Sequence, residues 1–187
     1  MDELVINYRR IQQQEPDMIE IRNTEMDDLE EIFELFDHSI IYQEKKGCPV
    51  WKDYDKNAII KDIRSKNQYK VVVDSQTGIV FSVCYTDKLI WRDLDKGDSI
   101  YLHRIVVNPD FKGQKLFGII LNWAIEHSKQ KEISSIRMDT WAANPTLINY
   151  YMSFGFAFIE NYTAPDSKEL PVHNRNIAMT LLEYQLK

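Results

Sequence analysis

Three apolar runs at 69–73, 79–86 and 99–107 follow one another, and a helical stripe opens after the last of them at Leu116. Val, Ile, Phe and Tyr dominate the runs, and these residues suit a pleated, half-buried surface. The stretch Asp74-Ser75-Gln76-Thr77-Gly78 between the first two reads as a turn. Consecutive strands tend to pair with their chain neighbours, so an antiparallel meander is expected. Leu116, Ile119, Ile120, Trp123 and Ala124 lie on one helical face running to about Lys129, and 136–140 is the strand that follows. A meander continued by strand, helix and strand predicts an α/β (α+β) fold, a mixed, mainly antiparallel central sheet flanked by helices.

The flanks extend this pattern. A short strand is expected at 18–21, a capping box at Thr24 and Asp27, then a helix carrying Leu29, Ile32, Phe33 and Phe36. Gly47-Cys48-Pro49 breaks the chain, and Ile59, Ile60 and Ile63 mark a second helix ending before Asn67. The tail reads as a helix from Pro145 to about Ser153, a strand at 156–162 and a last strand at 177–184. Leu4, Tyr8 and Ile11 share a helix face that Pro16 closes, so 1–17 is expected to be a helical extension and 18–187 one domain. A chain of 187 residues is long enough to bury one continuous core.

Charge and residue usage narrow the function. A net charge of −6 disfavours nucleic acid and acidic membranes as partners, so an anionic ligand must be held by local geometry. The first residues lack the basic and apolar regions of a signal peptide, and no apolar run approaches a membrane span. A cytoplasmic address is expected, with Cys48 and Cys84 as free thiols. His38, His103, His127 and His173 are scattered without an i+4 partner, so no metal site is expected.

Chemistry concentrates in two segments. From Val107 through Asn108-Pro109-Asp110-Phe111-Lys112-Gly113-Gln114-Lys115-Leu116-Phe117-Gly118, a strand end, a turn and a helix start follow in sequence. Such a junction aims backbone N–H groups at one point, which suits a pyrophosphate, although a plain turn with Gly113 at positive φ also accounts for it. In the second segment Asn144 is a favoured N-cap before Pro145, Tyr151 follows seven residues on, and Gly155-Phe156 lie four and five residues beyond. With the runs 103–109 and 136–140, these residues resemble the GNAT-type N-acetyltransferase superfamily over roughly 18–187. Lys112 stands where that family has Arg or Gln, and Lys115 and Phe117 stand at its two glycine positions.

The resemblance implies acetyl-CoA as co-substrate and an amine as acceptor, joined by direct transfer in a ternary complex. It implies that Ile105 and Val107 hold the pantetheine arm through their backbones. The pyrophosphate is expected on the amides of Gly113, Gln114, Lys115, Leu116, Phe117 and Gly118, with Lys112 beside them and Asn144 near the thioester. Tyr151 is the expected general acid that protonates the leaving thiolate. The assembly stays open between monomer and homodimer, and the alternatives to an enzyme are a non-catalytic acyl-CoA-binding protein or a degenerate GNAT-like interaction module.

Beside these residues, His103 reads as a packed imidazole rather than a base. Arg137 and Asp139 share a strand face by parity and are expected to pair structurally. Trp51 lines an acceptor pocket or packs in the core.

Overall fold

The computed structural model describes residues 18–47, 50–51, 53–131 and 133–186. The expected N-terminal helix at 1–17 lies outside the described residues, as do Cys48 and Pro49. The chain forms β1 (Ile19–Asn23), α1 (Leu29–Lys45), α2 (Lys56–Arg64), β2 (Gln68–Val73), β3 (Gln76–Cys84), α3 (Lys88–Trp91) and β4 (Ser99–Val107). It continues through α4 (Phe117–Lys129), β5 (Ser135–Trp141), α5 (Pro145–Met152), β6 (Ala157–Thr163) and β7 (Ala178–Gln185). The sheet has seven strands in the order β1-β2-β3-β4-β5-β7-β6. Only β4 and β5 run parallel; the other five pairings are antiparallel. The expected mixed, mainly antiparallel sheet is therefore present.

Strand parity distributes the helices over both faces. Ile79, Phe81 and Val83 of β3 point into a cluster with Leu116, Phe117, Ile120 and Ala124 of α4 and Tyr151 of α5. Val80 and Val106 point the other way, against Ile32, Leu35 and Phe36 of α1 and Ile59 and Ile63 of α2. Each fully buried aliphatic or aromatic side chain in these layers contributes about 1.5–3 kcal/mol relative to exposure.

Three local features differ from the sequence reading. The cap at the start of α1 is shifted by one residue: the Glu25 N–H donates to Asp28 Oδ2 at 2.8 Å. Thr24 is buried instead and donates from Oγ1 to Gln68 Oε1 at 3.2 Å. The β2–β3 turn is tighter than expected, with Asp74 and Ser75 both at positive φ and β3 resuming at Gln76. Gly78 then sits in a β3 bulge, where an added Cβ would approach Leu116 Cδ1 to 2.7 Å. The short α3 was not expected.

Candidate active site

The site begins where the sheet splits. β4 and β5 pair only over Ser99–Ser135, Ile100–Ile136 and Tyr101–Arg137. Beyond that rung β4 stays on β3, and β5 stays on β7 through Trp141. An extra residue in β4 relative to β3 between His103 and Val106, with Arg104 at φ 50°, marks a bulge that bends β4 at the split. Arg104 donates to Asp62 Oδ2 on α2 at 2.7 Å, which holds the bend. The two strands thus open a cleft of ≈ 1040 Å³ in the middle of the sheet. Ile105 and Val107 line it, and Val107 is 41% exposed on this open edge.

At one end of the cleft the turn between β4 and α4 presents backbone donors. The N–H groups of Lys112, Gln114 and Gly118 donate to Pro109, Phe111 and Lys115 carbonyls at 3.2, 3.2 and 3.0 Å. Those of Gly113, Lys115, Leu116 and Phe117 have no acceptor among the described residues. Four unpaired donors at a helix start form a nest suited to an anion. Lys115 takes the left-handed conformation, φ 56°, a backbone shape that favours glycine. The Phe117 side chain is buried against Tyr150, Tyr151, Phe154 and Phe156, so it packs the core under the turn. Lys112 rests its ammonium 3.5 Å over the Tyr42 ring.

Of the residues expected here, Ile105, Val107, Lys112, Gly113, Lys115, Leu116, Phe117, Asn144 and Tyr151 line the one cleft. Gln114 and Gly118 are not among its lining residues. At Gly118 an added Cβ would meet Phe154 at 3.2 Å, so this glycine serves close packing of α4.

The start of α5 supplies the middle of the site. Asn144 Oδ1 accepts the Leu147 N–H at 3.1 Å, which leaves its Nδ2 donor without an acceptor among the described residues. Tyr151 is buried, and its hydroxyl makes no hydrogen bond among the described residues. Burial first, then Tyr150 and the Asp139 charge, hold its phenol well above the ordinary pKa, so it stays protonated and can donate. Gly155 turns the chain at φ 98° with Tyr184 close behind it, and Phe156 is buried, so the Gly-Phe pair seats α5. Tyr150 lines the same cleft.

Past Tyr151 lies a group that sequence reading missed. His103 Nε2 is 3.5 Å from Asp87 Oδ2, and His103 Nδ1 is 3.8 Å from Asp139 Oδ1. One ligand-type atom from each of the three residues lies within 4.8 Å of the others. Among the described residues neither Asp87 Oδ2 nor Asp139 Oδ1 has a hydrogen-bond partner. Burial is the main cause that pushes Asp87 and Asp139 up to about 6, and burial also lowers His103 from its ordinary value. His103 is thus a cleft residue rather than a packed imidazole.

The expected Arg137–Asp139 pair is replaced by a cross-strand one. Arg137 donates from Nε to Glu183 at 2.6 Å, its register partner on β7, which frees Asp139 for the cleft. The useful sequence signal was parity across a parallel pair: His103 and Asp139 each follow the last rung by two residues. Asp87 lies in the connection after β3, and no sequence pattern pointed to it. Trp51, Ile90, Trp141, Leu170 and Met179 wall this end, so Trp51 both lines the cleft and packs on Phe36 and Trp141. No helix among the described residues is long and apolar enough to cross a membrane.

Comparison with known proteins agrees with this architecture. The family model described as Acetyltransferase (GNAT) family matches residues 15–156. An uncharacterized N-acetyltransferase of Methanocaldococcus jannaschii is 26% identical over 141 residues, 73% of this chain and 59% of that protein. The uncharacterized N-acetyltransferase YesJ of Bacillus subtilis is 36% identical over 73 residues, 39% of this chain and 41% of its own length. The chain therefore spans less than two thirds of either relative. A GNAT-family acetyltransferase from Listeria monocytogenes superposes with a TM-score of 0.73 at 21% identity, covering 90% of this chain and 95% of that one. The protein yncA from Salmonella typhimurium, solved with its cofactor acetyl-CoA, superposes with a TM-score of 0.63 at 16% identity, covering 90% of this chain and 94% of that one.

Proposed function

Because the chain belongs to the acetyltransferase (GNAT) family, we propose that it transfers an acetyl group from acetyl-CoA to a primary amine, with both bound at once. The observation that carries this reading is that Gly113, Lys115, Leu116 and Phe117, whose amides have no acceptor among the described residues, line the same cleft as Tyr151. The donor set fits a pyrophosphate, since backbone N–H groups bind anions without a cation of their own. The Salmonella neighbour with acetyl-CoA lends the ligand its identity.

Acetyl-CoA would supply an acyl group already activated as a thioester. The amides of Gly113, Lys115, Leu116 and Phe117 and the Lys112 ammonium hold its phosphates, and the open backbone edge at Ile105 and Val107 extends the sheet toward its arm. Asn144 offers Nδ2 to a carbonyl oxygen. Tyr151 gives the proton on its hydroxyl to the departing sulfur and is restored by a proton released from the acceptor nitrogen. Holding both reactants in one cleft contributes on the order of 7–11 kcal/mol in favourable cases, more than the acid alone.

Calorimetric titration of the chain with acetyl-CoA tests this reading. One site per chain, weakened when Gly113 is replaced by Val, supports it. Binding that ignores that replacement removes the turn from the site, and no binding leaves an interaction module.

A further inference from the structure

Resting on the acetyl-transfer reading above, we propose that the acceptor is a primary amine on an apolar body, with no carboxylate beside its nitrogen. Asp87, His103 and Asp139 receive its ammonium, and His103 takes the proton. Asp87 Oδ2 and Asp139 Oδ1 are buried and without hydrogen-bond partners among the described residues, and the Asp139 side chain is only 9% exposed. Buried carboxylate oxygens left in this state call for a donor-rich cation. A primary ammonium carries three donors and can cap three acceptor atoms, one each from Asp87, His103 and Asp139, that lie within 4.8 Å of one another.

The surroundings leave that role open. Arg104, the cation whose charge these groups feel, is engaged by Asp62 at 2.7 Å. Asp95, the other carboxylate acting on Asp87, accepts from Thr86 Oγ1 and from the Asp87 N–H, so its charge is turned to the backbone. An amine that brings its own carboxylate, as an amino acid does, would set a second anion against Asp87 and Asp139, and like charges at close range oppose binding. The walls set the rest of the ligand. Trp51, Ile90, Trp141, Leu170 and Met179 surround this end, and their surface suits an alkyl or aryl body.

The proton step balances within the cluster. One N–H bond of the ammonium breaks: the proton goes to the neutral imidazole, the bonding pair stays on nitrogen as the nucleophilic lone pair, and the imidazolium is stabilised between two carboxylates. Burial keeps His103 neutral before the amine arrives, so it is free to accept. The two ring nitrogens face different carboxylates, an arrangement that suits passing a proton.

The test uses the full chain and two readouts, calorimetry with coenzyme A bound and thiol release from acetyl-CoA. Phenethylamine and phenylalanine differ only in the carboxylate. Phenethylamine should bind at least about tenfold more tightly, and Asp139→Asn should shrink that ratio to about threefold or less. His103→Gln should keep phenethylamine binding but lower kcat at pH 7 by about a hundredfold, with partial recovery at pH 9 where more amine is already neutral. Acetyl-CoA binding by each variant controls for folding. Equal affinity for the two amines overturns the proposal while leaving acetyl transfer intact. Selective phenethylamine binding without thiol release supports this acceptor site and overturns acetyl transfer instead. Turnover that is lost on chelation and restored by Zn²⁺ overturns the proton-transfer role in favour of a metal site.

Discussion

His103 and Asp139 each stand two residues beyond Tyr101 and Arg137, the last rung joining β4 to β5, and the same register brings imidazole and carboxylate to 3.8 Å. The rung below them is tied side chain to side chain, with Arg137 donating to the Tyr101 hydroxyl at 3.2 Å. The strands part beyond this rung, and His103 and Asp139 occupy the first positions after it on the same face of the sheet.

Tyr151→Phe keeps the ring and its packing on Phe117 and removes only the hydroxyl. Fold and acetyl-CoA affinity should change little, and kcat should fall by roughly two to four orders of magnitude. Tyr150→Phe is a demanding control because Tyr150 lines the same cleft. Equal losses in the two variants, measured by thiol release with a verified acceptor, would remove Tyr151 as the acid.

Lys115→Gly should be tolerated. The left-handed backbone costs a non-glycine residue about 1–2 kcal/mol, and glycine relieves this while adding about 0.5–1 kcal/mol of unfolded-state entropy. The melting midpoint should shift by no more than about 2–4 °C, with coenzyme binding retained. Gly113→Val, at φ 89° with nothing within 4 Å of the added Cβ, should instead strain the backbone and weaken acetyl-CoA binding. Tight binding by a well-folded Gly113→Val would show that this amide nest is not the phosphate site.

A pH experiment follows from Asp139, which burial pushes up to about 6 from 3.8. Between these values the folded state holds a proton that the unfolded state has released, so this group's contribution to stability falls as pH rises through the window and is level above it. Asp139→Asn should therefore raise the melting midpoint relative to wild type more at pH 8 than at pH 4, by a few degrees for each kcal/mol, roughly 2–4 °C. Thermal melts at both pH values decide the matter; a lower midpoint at both would mean that Asp139 is satisfied by a partner in solution.

Much of the fold was legible because the strands carry their own signal. The runs at 69–73 and 99–107 became β2 and β4 with ends shifted by at most one residue, and the stripe from Leu116 became α4. Tertiary packing decided what local pattern could not. Thr24 looked like a cap, yet the Gln68 side chain drew it into the core. The turn between β4 and α4 was legible as a segment, but its shape was obscured because a lysine takes a glycine-like φ at Lys115. His103 and Asp139 were visible as residues and not as partners, since their meeting depends on the register of a parallel pair separated by α4. Asp87 came from a connection whose position only the folded chain defines.

Deletion of residues 1–15 should leave a folded domain that binds acetyl-CoA, because β1 starts at Ile19 and completes its pairing with β2 from there to Asn23. Circular dichroism and calorimetry check this. Global unfolding would show that the deleted segment belongs to the core or to a contact between subunits.

The most direct test of the account is thiol release from acetyl-CoA with and without a primary amine, measured together with the N-acetylated amine. The account predicts release that depends on the amine, saturates in both substrates, and matches the acetylated product one for one. Tight acetyl-CoA binding with no amine-dependent release across aryl, alkyl and peptide amines would contradict it and identify a coenzyme-binding protein that does not transfer.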